Sequence, residues 1–88
     1  MRYSISPDAA FAAVEDGAVV LHMGTKRYYS LNETGTFVWR RLEDGLEDTT
    51  IATQMVGEYD VGADEAKVAV AALVGELVKE SLICVTEA

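Results

Sequence analysis

Eighty-eight residues, half of them apolar, carry 15 acidic side chains against 7 basic ones, for a formal net charge of −8 and a pI near 4.4. A chain of this length makes one domain around one core, and its mean hydropathy of +0.12 is too high for a disordered segment. The charge argues against nucleic acid, since phosphate contacts need clustered Lys and Arg, and against an anionic membrane surface, while a cationic or neutral peptide remains compatible.

Residues 2–7 alternate weakly through Tyr3 and Ile5, and Pro7, which has no N–H, ends any ladder there, so this is an edge segment at best. Asp16-Gly17 separates the apolar runs 11–15 and 18–23 and predicts a type I′ hairpin, whose two central residues need positive φ. Gly24-Thr25-Lys26 then turns the chain into 27–31, which completes a three-stranded antiparallel meander. Alternation sets Tyr29 and Leu31 on one face and Tyr28 and Ser30 on the other, and leaves this third strand as an open sheet edge. His22, the sole histidine, is expected on the strand surface, with no metal-ligand spacing around it.

Asn32 is a good N-cap for a helix over 33–44, with Glu33 at the positive end of its dipole and Gly45 as its stop. Phe37, Val38, Trp39 and Leu42 form its apolar stripe, which places Trp39 in the core and Arg40-Arg41 opposite. Asp48, Thr49 and Thr50 offer a cap for a second helix over 50–59, with Ile51, Met55, Val56 and Tyr59 at helical spacing. Gly62 or Asp64 caps a third helix over about 63–80, whose apolar stripe is Ala66, Val70, Leu73 and Leu77. Beside it lie Glu65, Val68, Ala69, Ala72, Gly75 and Glu76, a mostly small surface that leaves a shallow channel.

Residues 82–85 add a final short strand or pack as a tail, with Cys84 expected in the core. A single thiol forms no internal disulfide and fits a reducing cytosol, and no span of about 20 apolar residues or signal-peptide centre is present, so a cytoplasmic location is expected. The absence of a Ser-His-Asp set, a metal cluster and a phosphate loop points away from an enzyme and away from any cofactor. Strands followed by helices make an α+β class with the helices on one face.

The run Tyr29-Ser30-Leu31-Asn32, then Gly35, Trp39, Leu42, Gly45, Ile51, Tyr59-Asp60-Val61, Leu73, Leu77 and Leu82-Ile83, resembles the PqqD-like domains, also called RiPP precursor-peptide recognition elements. The match covers nearly the whole chain after about residue 10, and the Tyr-Tyr strand and short length are most similar to the stand-alone leader-binding proteins of lasso-peptide biosynthesis. The resemblance implies a winged helix-turn-helix with a three-stranded antiparallel sheet followed by three helices. It further implies that the leader of a ribosomally made precursor adds antiparallel to the third strand and lies in the groove against the third helix. A Tyr-x-x-Pro pattern in the leader would fill apolar pockets there, and the bound precursor would pass to a separate leader peptidase and cyclase. Two positions depart from the family pattern: Ser81 stands where Gly is frequent, and Ala69 where many members carry an acid, which favours a different leader.

Strand addition works because an unpaired edge offers backbone donors and acceptors, while flanking pockets supply the sequence preference. On this basis the expected peptide-binding residues are Arg27, Tyr28, Tyr29, Ser30 and Leu31 of the strand, and Glu65, Val68, Ala69, Ala72, Leu73 and Glu76 of the third helix. Arg27 and Lys26 are placed to meet acids in the leader, and Glu65 and Glu76 to meet a basic residue. The alternatives are a winged-helix DNA-binding domain, against which stands the lack of a basic recognition helix between 48 and 80, and another protein-interaction module.

Overall fold

The structure, a computed structural model, describes residues 1–87. Among them β1 (Arg2–Ile5) pairs with β5 (Ile83–Glu87), while β2 (Ala9–Val14), β3 (Gly17–His22) and β4 (Tyr28–Leu31) form an antiparallel meander in that spatial order. Helices α1 (Glu33–Glu43), α2 (Asp48–Glu58) and α3 (Ala63–Lys79) follow β4. The expected α+β class is observed, and α2 packs on α3 as a helix-turn-helix beside the β1–β5 ribbon, the winged arrangement. No helix among the described residues is long and apolar enough to cross a membrane.

The N-terminal segment is an edge strand, as expected, and the ribbon gives it the partner that the sequence left open. Tyr3, Leu82 and Ile83 are buried, and the Ser6 N–H donates to the Leu82 carbonyl at 2.9 Å, so the first and last segments of the described chain close one flank of the core together. Ile83 turns inward, and alternation therefore turns Cys84 out: the thiol expected in the core is exposed.

The β2–β3 turn is also different from the expected one. Val14 pairs with Gly17, so the loop residues are Glu15 and Asp16, and neither has positive φ. Gly17 is needed for space instead: a Cβ there would lie 1.9 Å from the Leu31 carbonyl oxygen. That clash is with backbone and no rotamer relieves it, which makes Gly17 a close-approach site between β3 and the end of β4.

His22 is buried rather than on the strand surface. It shares the core-facing side of β3 with Ala18 and Val20, and its Nδ1 accepts the N–H groups of Gly24 and Thr25, both at 3.1 Å. The ring thus caps the β3–β4 turn, in which Lys26 takes the left-handed conformation at φ 65°.

α1 forms as its sequence dictates. Asn32 Oδ1 accepts the Gly35 N–H at 2.8 Å, and Gly45, at φ 79°, ends the helix with its N–H on the Leu42 carbonyl. Val38, Trp39 and Leu42 are buried, with Trp39 stacked on Phe11 at 6.2 Å between ring centroids. Trp39 Nε1 has no hydrogen-bond partner. An unmade buried bond costs about 1–3 kcal/mol, against about 4–6 kcal/mol from burying an aromatic ring, so the ring's packing wins. Arg40 and Arg41 lie over the Phe11 and Phe37 rings at 4.3 and 4.0 Å from the centroids.

α2 begins at Asp48, before the expected position 50, with Glu47 as an N-cap that makes no side-chain bond; the Asp48 carboxylate accepts the Thr49 N–H at 2.9 Å instead. Ile51, Ala52 and Met55 are its buried residues. α3 buries Ala66, Val70, Val74 and Leu77, so Val74 takes the core place expected for Leu73.

α3 ends in a Schellman motif on a residue other than glycine. Ser81, at φ 59°, donates its N–H to the Val78 carbonyl, and the Leu82 N–H reaches the Leu77 carbonyl at 2.9 Å. A side chain in this region costs about 1–2 kcal/mol, tolerated because buried Leu82 anchors the exit of the helix. Ser81→Gly is therefore expected to stabilise the fold by about 0.5–1 kcal/mol and to raise the thermal midpoint by about 2–8 °C, read by circular dichroism melting.

Candidate functional site

β4 is an outer strand of its sheet, and the hydrogen-bond register decides which of its backbone groups face the open side. The His22 N–H donates to the Arg27 carbonyl at 2.8 Å. Bonded pairs alternate along an antiparallel ladder, so Tyr29 and Leu31, opposite Val20 and Ala18, turn their N–H and C=O toward β3. Tyr28 and Ser30 turn theirs to the open side. Their side chains lie on the outer face of the sheet, Tyr28 72% exposed beside Leu21, whereas Leu31 is buried and Tyr29 half-buried on the core face.

Beneath this edge lies a groove of about 620 Å³. Tyr29, Ser30, Leu31 and Asn32 form one wall, and Ala69, Ala72, Leu73 and Glu76 of α3 form the other. Its floor comes from Thr34, Gly35 and Val38 of α1 and Met55 of α2. The small-residue side of α3 thus does leave a channel, and half-buried Leu73 borders it.

Seven of the expected residues, Tyr29, Ser30, Leu31, Ala69, Ala72, Leu73 and Glu76, are brought together in the groove lining, while Arg27, Tyr28, Glu65 and Val68 are outside it. Arg27 grips Glu80 with Nε on Oε1 and Nη2 on Oε2, each at 3.4 Å, and so ties the approach to β4 to the C-cap of α3. Val68 is 70% exposed. Sequence reasoning did not assign Asn32, Thr34, Gly35, Val38 or Met55 to the site. Asn32 and Gly35 carried a signal as a cap and its bonded partner, whereas Val38 and Met55 are core-stripe residues that touch the floor only in three dimensions.

Among the described residues Glu76 is the one charged member of the lining. It faces Tyr29, whose phenol is raised above the usual 10.0, first by burial and then by the negative charges of Glu76 and Glu80. Among the described residues no group of three or more His, Cys, Asp or Glu is placed to hold a metal ion.

The family model for coenzyme PQQ synthesis protein D (PqqD) matches residues 17–83. The chain belongs to the PqqD family. The matched span contains β3, β4, all three helices and the whole groove lining. Two solved structures share the PqqD-like fold over nearly their full length. TbiB1 in complex with the TbiA(beta) leader peptide is 25% identical at a TM-score of 0.87, covering 97% of this chain and 99% of that one. Lasso peptide synthetase B1 complexed with the leader peptide is 28% identical at a TM-score of 0.86, covering 94% and 98%. No curated protein matches the chain.

The position of Glu76 in this PqqD-family groove makes its influence on Tyr29 measurable. Glu76→Gln is expected to move the Tyr29 phenol part of the way back toward 10.0, since burial remains, in an ultraviolet titration assigned with Tyr29→Phe. The folded-state value lies above the unfolded one, so the stability gained from protonated Tyr29 is whole below pH 10.0 and is lost as pH rises through the folded value.

Proposed function

We propose that this chain is a non-catalytic recognition domain that binds the leader segment of a ribosomally synthesised precursor, a lasso-peptide precursor above all. The observation that carries this reading is the open side of β4, where Tyr28 and Ser30 present backbone donors and acceptors directly above a preformed groove. Such an edge takes an extended peptide as an added strand. The leader runs antiparallel to β4, bonds through Tyr28 and Ser30, and sends alternate side chains into the groove against α3. Both solved neighbours hold a leader peptide, which supports the same role here.

In this reading the domain works in the cytoplasm and presents the precursor to a separate leader peptidase and cyclase. Nucleic acid is not its partner. The exposed residues of α3 include Asp64, Glu65 and Glu76 beside Lys67 and Lys79, so among the described residues this helix offers no clustered cationic face for phosphates.

Fluorescence polarisation with the leader encoded beside this gene tests the proposal, and absence of binding at tens of micromolar would defeat it for the native pair. Two substitutions locate the site. Ser30→Pro removes an outward N–H without breaking the β3–β4 ladder and is expected to weaken leader binding about tenfold while the fold persists. Ala72→Trp places a ring in the groove from an exposed helix position, so binding should drop by more than tenfold with the melting temperature nearly unchanged. Normal affinity in either folded variant would move the site elsewhere.

A further inference from the structure

The geometry points to a side-chain rule for the peptide: a lysine or arginine two residues after an apolar anchor, selected by Glu76. This rests on strand addition at β4 and adds what the added strand must carry. Tyr28 and Ser30 supply the outward backbone bonds, so peptide residues opposite them point to solvent as those side chains do. Peptide residues opposite Leu31 and Tyr29 point into the groove, two positions apart. In the antiparallel direction the one opposite Leu31 comes first.

The two ends of the groove differ in chemistry. Leu31 borders Gly35, where an added Cβ would lie 3.3 Å from the leucine side chain, and the floor contributed by Val38 and Met55 is apolar. An apolar side chain is matched to that floor, with the polar atoms of Asn32 and Thr34 bonded to each other beside it. Tyr29 lies at the opposite end, within the field of Glu76 and Glu80. Glu80 is already paired with Arg27 at 3.4 Å, whereas no cation lies within ion-pair distance of Glu76 among the described residues. An acid opposite Tyr29 would face Glu76 in a domain of net charge −8, and a lysine or arginine would lay its apolar stem on the groove wall with its head at the carboxylate. Glu65, outside the lining, does not share the role.

The test pans randomised short peptides on phage against the purified chain and keeps binders lost on Ser30→Pro, which assigns them to the β4 edge. Those binders should carry Lys or Arg two residues after an aliphatic or aromatic residue. Changing that cation to Glu should weaken binding by about two- to fivefold, the scale of one exposed ion pair. In Glu76→Lys the order of preference should invert, and Glu65→Lys should leave it unchanged. Ser30-dependent binders without a charge preference, or with one that survives Glu76→Lys, would overturn the rule and leave strand addition intact. A library with no Ser30-dependent binder would remove strand addition itself, and the rule with it.

Discussion

The contact on which the rest of the structure depends is backbone against backbone, the Leu31 carbonyl against Gly17. A Cβ at Gly17 would stand 1.9 Å from that oxygen, so only glycine lets β3 and the end of β4 come this close. Leu31 is the last residue of β4, and Asn32 after it caps α1 through the Gly35 N–H at 2.8 Å. One close approach therefore sets both the pairing of β4 and the point from which α1 departs. With α1 so directed, Val38 and Trp39 reach the core, and Gly35 stays low enough to serve as groove floor.

The groove is a consequence of what α3 lacks. Its buried line, Ala66, Val70, Val74 and Leu77, packs the helix down, while Ala69 and Ala72 on the adjoining side are too short to close over the β4 edge. An open edge invites pairing with other chains, a hazard that grows with strand length and apolar character. Here β4 is four residues long, the net charge of −8 opposes the approach of like chains, and the Arg27–Glu80 fork lies at one end. The edge stays accessible to an extended peptide while being a poor template for uncontrolled assembly.

The sequence was most informative where the physics is local. Asn32 and Gly45 bound α1 as capping chemistry requires, and Ala69, Ala72 and Glu76 could be placed on one side of α3 by helical spacing. It was least informative where the partner lies far along the chain. Asp16-Gly17 carries the pattern of a type I′ turn, yet the glycine is there for the Leu31 carbonyl. His22 looks like a surface strand residue until its ring meets the turn N–H groups, and Cys84 looks like core until pairing with β1 orients it outward.

By itself the sequence determined the acidic character through composition, and the meander, the ends of α1 and the strand left without a following partner, because these depend on neighbours within a turn or two. Only the tertiary structure decided which backbone groups of β4 face outward, that among the described residues Glu76 has no ion-pair partner while Glu80 is held by Arg27, and that Val38 and Met55 line the groove. The first depends on the ladder register that the β3–β4 turn sets, down to the His22–Arg27 bond, and the others on the approach of α3 to β4, which is made by residues far apart in the chain.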